Sequence, residues 1–250
     1  MEALVSIITP TYNSAAFIEQ TICSVQNQTY QNWEMIIVDD GSTDETADII
    51  SQKAHSDQRI LFIRLPKNEG PAKARNVGIE QAKGKYMTFI DADDIWFPEF
   101  IEKSISAISE TRVCFVFSSY KRANENLEFV YSDFIVPQKV SYRDILKTNS
   151  ISCLTAFIDV EKLGKKIMPD IFKRQDMGLW LQYLKEIPFA YGIQEPLAVY
   201  RIRKNSLSRK KSSLLKFQWQ FYREVERLSV LKSCYYMVNW MYKGFFKYRN

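Results

Sequence analysis

The chain has 250 residues and a mass of 29.4 kDa, more than the usual single-domain size but within reach of one α/β domain with extensions. Hydrophobic residues at 46% and charged residues at 25% exclude a disordered, collagenous or coiled-coil chain, and the net charge of +5 divides into −6 for residues 1–200 and +11 for residues 201–250. No apolar run reaches the ~18–20 residues of a bilayer span, the start MEALVSIITP lacks the marks of a signal peptide, and the four cysteines form no C-x-x-C pair, so a cytoplasmic protein without zinc-finger or thioredoxin chemistry is expected.

In chain order, short apolar runs rich in Val, Ile and aromatics alternate with helical spacing. Strands are predicted at 4–9, 33–38, 60–65 and 86–90, with helices between them at 15–28, 43–54 and 71–82. This alternation predicts a mostly parallel sheet with right-handed crossovers, whose ligands sit beyond the carboxyl ends of the strands. A strand at 113–118, an alternating stretch at 127–136 and a strand at 155–159 are expected to extend the sheet. A helix follows at 175–185, an extended segment at 196–203, and two helical segments over 211–247 with a break near 231–233.

Eight glycines without any G-x-G leave no dinucleotide fingerprint. The stretch from Gly78 to Lys85 imitates a P-loop, but has one residue too many between its glycines and Tyr86 in place of Ser or Thr.

The loops after the first, second and fourth strands are the most polar: Pro10-Thr11-Tyr12-Asn13, Asp39-Asp40-Gly41-Ser42-Thr43-Asp44 and Asp91-Ala92-Asp93-Asp94. Acids crowded within four residues repel one another unless a cation sits among them, and oxygen-only ligands favour Mg²⁺ or Mn²⁺ over zinc. The alternatives are structural. The aspartates at 91–94 could cap a helix beginning near Pro98, and Ser42 or Thr43 could N-cap the second helix with Asp44 and Glu45 aiding its dipole. The second alternative leaves Asp39 and Asp40 without a task.

Five segments in series, VSIITPTYN (5–13), VDDGSTDET (38–46), NEGPAKARNVGIEQAKGKY (68–86), FIDADD (89–94) and RQDMGLW (174–180), resemble the family 2 glycosyltransferases over roughly residues 4–205. The likeness is greatest to bacterial enzymes that assemble O-antigen, capsule or teichuronic-acid-type polysaccharides. It implies the glycosyltransferase A-type fold, a Rossmann-like α/β sheet flanked by helices. The catalytic domain would cover 1–205, with a nucleotide part to about 95 and an acceptor part over about 96–205, followed by a C-terminal helical extension at 206–250. The resemblance also implies a UDP-sugar donor. Pro10 and Tyr12 match the positions that frame the uracil, Asp39 the acid that accepts from its ring N–H, and Arg75 a basic residue on the nucleotide, with Asn68 in the loop before it. Asp91 would contact the ribose and Asp93 the Mn²⁺ or Mg²⁺ that bridges the diphosphate, while Asp94 supports the loop or the acceptor side.

Asp176 matches the family's catalytic base, although Gln175 precedes it where many relatives carry Glu; its structural alternative is a helix N-cap. With no second carboxylate nucleophile evident, one base fits direct displacement with inversion. Many relatives carry a His near Arg203, and His55 lies in the wrong segment to replace it. Arg203 is read either as a bidentate diphosphate ligand or as a solvated basic strand end. His55 and the cysteines are read as structural or incidental.

The tail holds 11 of the 35 aromatic residues beside its +11 charge, which points to an anionic membrane surface and, with no accompanying motif, not to nucleic acid. Its first stripe, Leu214, Phe217, Phe221, Val225 and Leu228, is read as packing on the catalytic domain. For 235–248, where aromatics surround Lys243 and Lys247, membrane docking and packing stand level, with a homo-oligomer interface as a third outcome. The expected function is transfer of a hexose from a UDP-sugar to a lipid-linked saccharide acceptor on the inner membrane face. A sugar nucleotidyltransferase is disfavoured because PTYN stands where a glycine-rich basic loop is needed. A scaffold without catalysis is disfavoured by the intact acids, and a processive synthase by the lack of spanning helices.

Overall fold

In the computed structural model, which describes residues 2–171, 173–203 and 214–247, β1 (Val5–Thr11) is buried along its whole length inside a nine-stranded sheet. It pairs in parallel with β2 (Trp33–Asp39) on one side and β4 (Tyr86–Phe89) on the other, and β2 pairs in parallel with β3 (Ile60–Arg64). Side chains divide by the strand period of two: Val5, Ile7, Met35 and Ile37 enter one apolar layer, whereas Ile8, Ile36 and Val38 face away from it. Burial on both faces is what makes these strands continuous apolar runs in the sequence.

Three crossover helices close this parallel half: α1 (Ile18–Gln26), α2 (Thr46–Ser56) and α3 (Pro71–Gln81). α3 lies so near β1 that a Cβ on Gly78 would stand 2.6 Å from Cγ2 of Ile8, a contact only glycine permits. α1 and α2 each start three residues later than the spacing predicts. Ser42 and Thr43 do not cap α2; they bond to Asn13, and the Asp44 carboxylate accepts the Thr46 N–H at 3.1 Å instead.

Beyond β4 the sheet becomes mixed. β4 is antiparallel to β8 (Phe157–Asp159), and β8 to β6 (Phe115–Ala123). β6 runs parallel to β9 (Ala190–Arg201), which also carries the short antiparallel strands β5 (Ile95–Trp96) and β7 (Lys139–Val140). The stretch 127–136 does not extend the sheet. Only Tyr120 and Phe134 form a bridge there, and Phe129, Val130, Tyr131 and Ile135 are exposed. Side chains fix this segment as a loop: Asn124 Oδ1 accepts from the N–H groups of Asn126 and Glu128, and Ser119 Oγ from that of Val136.

α4 (Phe100–Thr111), α5 (Tyr142–Lys147), α6 (Val160–Leu163) and α7 (Gln175–Leu184) complete the body. α8 (Leu214–Gln220) continues into a π-helical turn at Phe221–Val225, and α9 (Val230–Lys247) follows. Their break falls at 226–229, earlier than predicted, because Glu226 is pinned there. Its carboxylate, 2% exposed, accepts from the Tyr142 hydroxyl at 2.6 Å and pairs with Lys185 at 2.9 Å. Phe221 and Tyr222 are buried in the same layer as α7, with Val225 and Leu228 against it, so Phe221, Val225 and Leu228 of the first tail stripe pack on the body as expected. α9 splits the level reading by face: Tyr236 and Met237 pack on that layer, while Leu231, Tyr235, Val238 and Tyr242 are exposed. Residues 204–213 and Tyr248, which belong to the expected basic and aromatic tail, lie outside the described residues. No described helix is long and apolar enough to cross a membrane.

Candidate active site

Because β1, β2 and β4 run parallel, the loops at their carboxyl ends gather at one edge of the sheet. Two of them are stitched together. Ser42 Oγ accepts the Asn13 N–H at 2.9 Å, Asn13 Oδ1 accepts the Thr43 N–H at 2.9 Å, and Thr46 Oγ1 accepts the Ser14 N–H at 2.7 Å. Asn13 sits at φ +46°, a left-handed conformation that asparagine tolerates, and its neighbour Tyr12 is 45% exposed. Pro10 is buried within β1, opposite Val38.

Asp39 and Asp40 divide two tasks. The Asp39 carboxylate is fully enclosed, accepting from the Ser42 hydroxyl and N–H and lying 3.4 Å from Arg64 Nε. Asp40 accepts the N–H groups of Glu69 and Gly70, each at 2.8 Å, and so ties the loop bearing the exposed Asn68 to the start of α3. Gly41, at φ +74°, lets that loop cross: a Cβ there would stand 2.9 Å from the Lys67 carbonyl carbon.

The 91–94 turn closes with a bond from the Asp94 N–H to the Asp91 carbonyl. Asp91 receives Arg75 Nη2 at 2.5 Å, and Asp93 receives Arg203 Nη1 at 3.3 Å. Arg203 is thus drawn into the site rather than solvated at a strand end, and its guanidinium lies 4.9 Å from the centre of the Phe17 ring. Asp94 points inward and supports the loop: its Oδ1 accepts the Arg201 N–H at 2.8 Å and its carbonyl accepts the Thr21 hydroxyl at 2.8 Å. Burial, then the charges of Asp93 and Asp91, push its carboxyl well above the usual carboxylate range. Burial and Asp91 also push Asp93 up, opposed by Arg203. These aspartates do not cap α4, whose N-cap residue is Glu99.

Asp176 does not N-cap α7 either. That position belongs to Arg174, held at φ +71°, and Asp176 stands in the first turn beyond it. Its Oδ2 accepts Nδ2 of Asn149 at 3.0 Å. Arg75 shows how near the segments come. Burial alone would weaken its charge, yet Asp91, Cys153 and Asp176 together keep the guanidinium more firmly protonated than usual. Burial pushes the Cys153 thiol up, opposed by Arg75 and aided by Asp91, Asp176 and Asp94, while its side chain packs against the apolar layer of α7 as a structural cysteine does.

The structure therefore brings Arg75, Asp91, Asp93, Arg203 and Asp176 together, and Tyr12 to the same sheet edge. Phe17, Asn149 and Arg201 enter without having been marked in the sequence. Arg201 Nη2 donates to Gln20 Oε1 at 2.7 Å and Nη1 to the Glu125 carbonyl at 3.1 Å, a structural engagement that leaves Arg203 as the arginine paired with Asp93.

Whether this loop fits a divalent cation is tested by its donors. They are carboxylate oxygens alone, Asp94 Oδ2 and Arg75 Nε are buried without hydrogen-bond partners, and no cluster of three or more ligands is preformed among the described residues. That donor set suits Mg²⁺ or Mn²⁺, which bind through one or two carboxylates and take their remaining oxygens from water and substrate phosphate. An all-protein cage is not what the loop provides.

Residues 6–160 match the family model described as "Glycosyl transferase family 2". Over 95% of its length the chain is 42% identical to 94% of TuaG of Bacillus subtilis, named as a teichuronic acid biosynthesis glycosyltransferase. It is 34% identical to WfgD of Escherichia coli, a UDP-Glc:α-D-GlcNAc-diphosphoundecaprenol β-1,3-glucosyltransferase, over 99% of this chain and 97% of that one. Among solved structures, residues 1–349 of Staphylococcus aureus TarS with UDP-GlcNAc superpose at a TM-score of 0.71 over 95% of this chain and 71% of that one, with 19% sequence identity. The chain belongs to glycosyl transferase family 2. Its fold is the glycosyltransferase A-type, as the sequence resemblance implied, and it is a transferase.

Proposed function

We propose that this enzyme transfers a hexose from a UDP-sugar to a saccharide carried on a lipid diphosphate, inverting the anomeric centre, in bacterial surface polysaccharide synthesis. The observation that carries the reading is the placement of Asp176 within charge reach of Arg75, whose guanidinium pairs with Asp91 at 2.5 Å in the same turn as the Asp93–Arg203 pair. The donor and acceptor printed for WfgD, 34% identical across both chains, support the substrate classes.

In this reading Tyr12 stacks on the uracil beside Pro10, and Asp39 shares its enclosed carboxylate between Ser42 and the ring N–H. Asn68 and Arg75 hold the nucleotide and Asp91 the ribose. Asp93 would hold Mn²⁺ or Mg²⁺, which when bound supplies positive charge to the leaving diphosphate. Asp176 accepts the acceptor hydroxyl's proton as that oxygen attacks the anomeric carbon, and the bonding electrons of the departing glycosyl bond leave with UDP. Arg75 and Arg203 then face phosphate oxygens whose charge is growing, where a guanidinium fork is most effective. No second carboxylate is placed to act as nucleophile in this scheme, so an α-linked donor yields a β-linked product.

The residues up to about 95 form the donor half and those from about 96 to 205 the acceptor half. The exposed face of α9 docks on the inner face of an anionic membrane, where a lipid-linked acceptor resides. A panel of sugar nucleotides with a synthetic diphosphate-lipid saccharide tests the proposal. One UDP-hexose should release UDP only when the acceptor is present; exclusive use of GDP- or dTDP-sugars, or no turnover with any donor, would overturn it.

A further inference from the structure

A cleft of about 640 Å³ lies between α9 and the β7–α5 segment, away from the donor loops. Tyr242 and Lys243 line it from α9, Phe134 and Lys139 from before α5, and Thr148 and Ser150 from just after α5. Its size is that of a small-molecule site. Thr148 and Ser150 flank Asn149, whose amide donates to Asp176, so one end of the cleft is walled by the loop that holds the candidate base. The other end carries Lys139 at the start of the segment. The six residues of α5 between them span roughly 9 Å, about a sugar ring and a diphosphate laid end to end.

Resting on the function proposed above, we propose that this cleft is the acceptor subsite, with Lys139 and Lys243 binding the diphosphate of a lipid-linked saccharide and its sugar lying at residues 148–150 beside Asp176. The lining combines two ammonium groups with aromatic and aliphatic walls, the pairing that an anionic, partly apolar ligand requires. Lys139 and Lys243 are both exposed, and Lys139 lies over the Phe189 ring at 4.7 Å, which orients the ammonium while leaving N–H donors for phosphate. The Asp144 carboxylate also lines the cleft but is committed to the Ser141 hydroxyl at 2.6 Å and N–H at 3.1 Å. The lipid has a continuous exit. Leu231, Tyr235, Val238 and Tyr242 recur at spacings of four, three and four on α9, all exposed, and the last of them is in the cleft wall.

The test compares wild type with Lys139→Gln, Lys243→Gln and the double variant; both side chains are exposed, so folding is spared. Two probes are used: α-D-GlcNAc-diphosphofarnesol and octyl α-D-GlcNAc, which lacks the diphosphate. Equilibrium binding is measured without donor, and KM with it. Each single variant should weaken binding of the diphosphate probe on the order of tenfold and the double variant more, with the octyl glycoside and the donor KM unmoved. Unchanged diphosphate binding, or an equal loss for both probes, overturns the proposal. If the wild type turns over no UDP-sugar, the functional reading fails while the binding comparison still decides the subsite.

Discussion

Asn149 donates from Nδ2 to Oδ2 of Asp176 at 3.0 Å, while its own Oδ1 accepts the Ile151 N–H at 3.2 Å, so the loop after α5 fixes the direction in which the candidate base points. This makes Asn149 a positioning residue. Asn149→Ala should lower kcat about tenfold with the donor KM unchanged. Asn149→Asp keeps the shape but places a second carboxylate against the first, so the acid limb of the pH profile of kcat/KM should move to higher pH. An unmoved pH profile in the aspartate variant would reduce Asn149 to a loop support.

For the base itself, Asp176→Asn preserves the side-chain shape and removes basicity. Turnover should fall on the order of 10²-fold or more, with UDP-sugar binding by titration nearly intact. A wild-type rate in this variant would place the base elsewhere.

Turnover should require Mn²⁺ or Mg²⁺, and Asp93→Ala should abolish it, because the diphosphate then loses the oxygen that anchors its counter-charge. The same variant releases Arg203 from its 3.3 Å pairing, so metal-independent binding of UDP should weaken less than turnover does. Full activity in EDTA contradicts the metal requirement.

The parallel half of the fold was legible because strands buried on both faces are uninterrupted apolar runs, and because Asp39 ends one of them while Tyr12 and Asp91 stand just beyond two others. The later half was harder to read for identifiable reasons. β5 and β7 have two residues each, too short for any period to show, and β8 has three. The alternation at 127–136 imitates a strand, yet Phe129, Val130, Tyr131 and Ile135 face outward, only Phe134 and Val136 reach the core, and the backbone is tied by Asn124 and Ser119. Asn149 and Phe17 gave no signal because a lone amide and a lone aromatic have meaning only once folding sets them beside Asp176 and Arg203. The corner at Glu226 depends on Tyr142 and Lys185, which no local pattern links to it.

Asp57 gives a prediction for stability. Arg59 donates to it through Nε at 2.9 Å and Nη2 at 2.8 Å, Gln26 Nε2 donates at 3.0 Å, and the same guanidinium lies 3.8 Å from the centre of the Trp33 ring. The Arg59 hydrogen bonds, opposed by burial, hold the Asp57 carboxyl well below the usual carboxylate range. A depressed folded-state value means that the stabilisation is present above the unfolded value of about 4 and is lost as pH falls below it. Asp57→Asn should therefore lower stability by about 1–2 kcal/mol at pH 7, and the gap to wild type should narrow as the pH drops toward 2. A gap independent of pH in urea melts would refute the charged role.

Membrane docking is best tested on one face of α9. Cutting the helix away would also remove Tyr236 and Met237 from the core and Trp240 from its 5.4 Å contact with the Arg174 guanidinium, which stands two residues before Asp176. A truncation therefore confounds anchoring with damage to the base. Substituting only the outward side chains, as Leu231→Ser, Tyr235→Ser and Val238→Ser together, leaves those contacts in place. Aromatic and aliphatic burial in the interface resists salt, whereas attraction of the basic tail to anionic lipid does not. The triple variant should lose most of its binding to anionic vesicles at 0.5 M salt and less of it at low salt. Turnover should fall for acceptor embedded in vesicles and stay near wild type for a short soluble analogue. Vesicle binding that is equal for both proteins at high salt would mean that this face of α9 meets a second subunit or nothing at all, and the acceptor would then have to be delivered by other means.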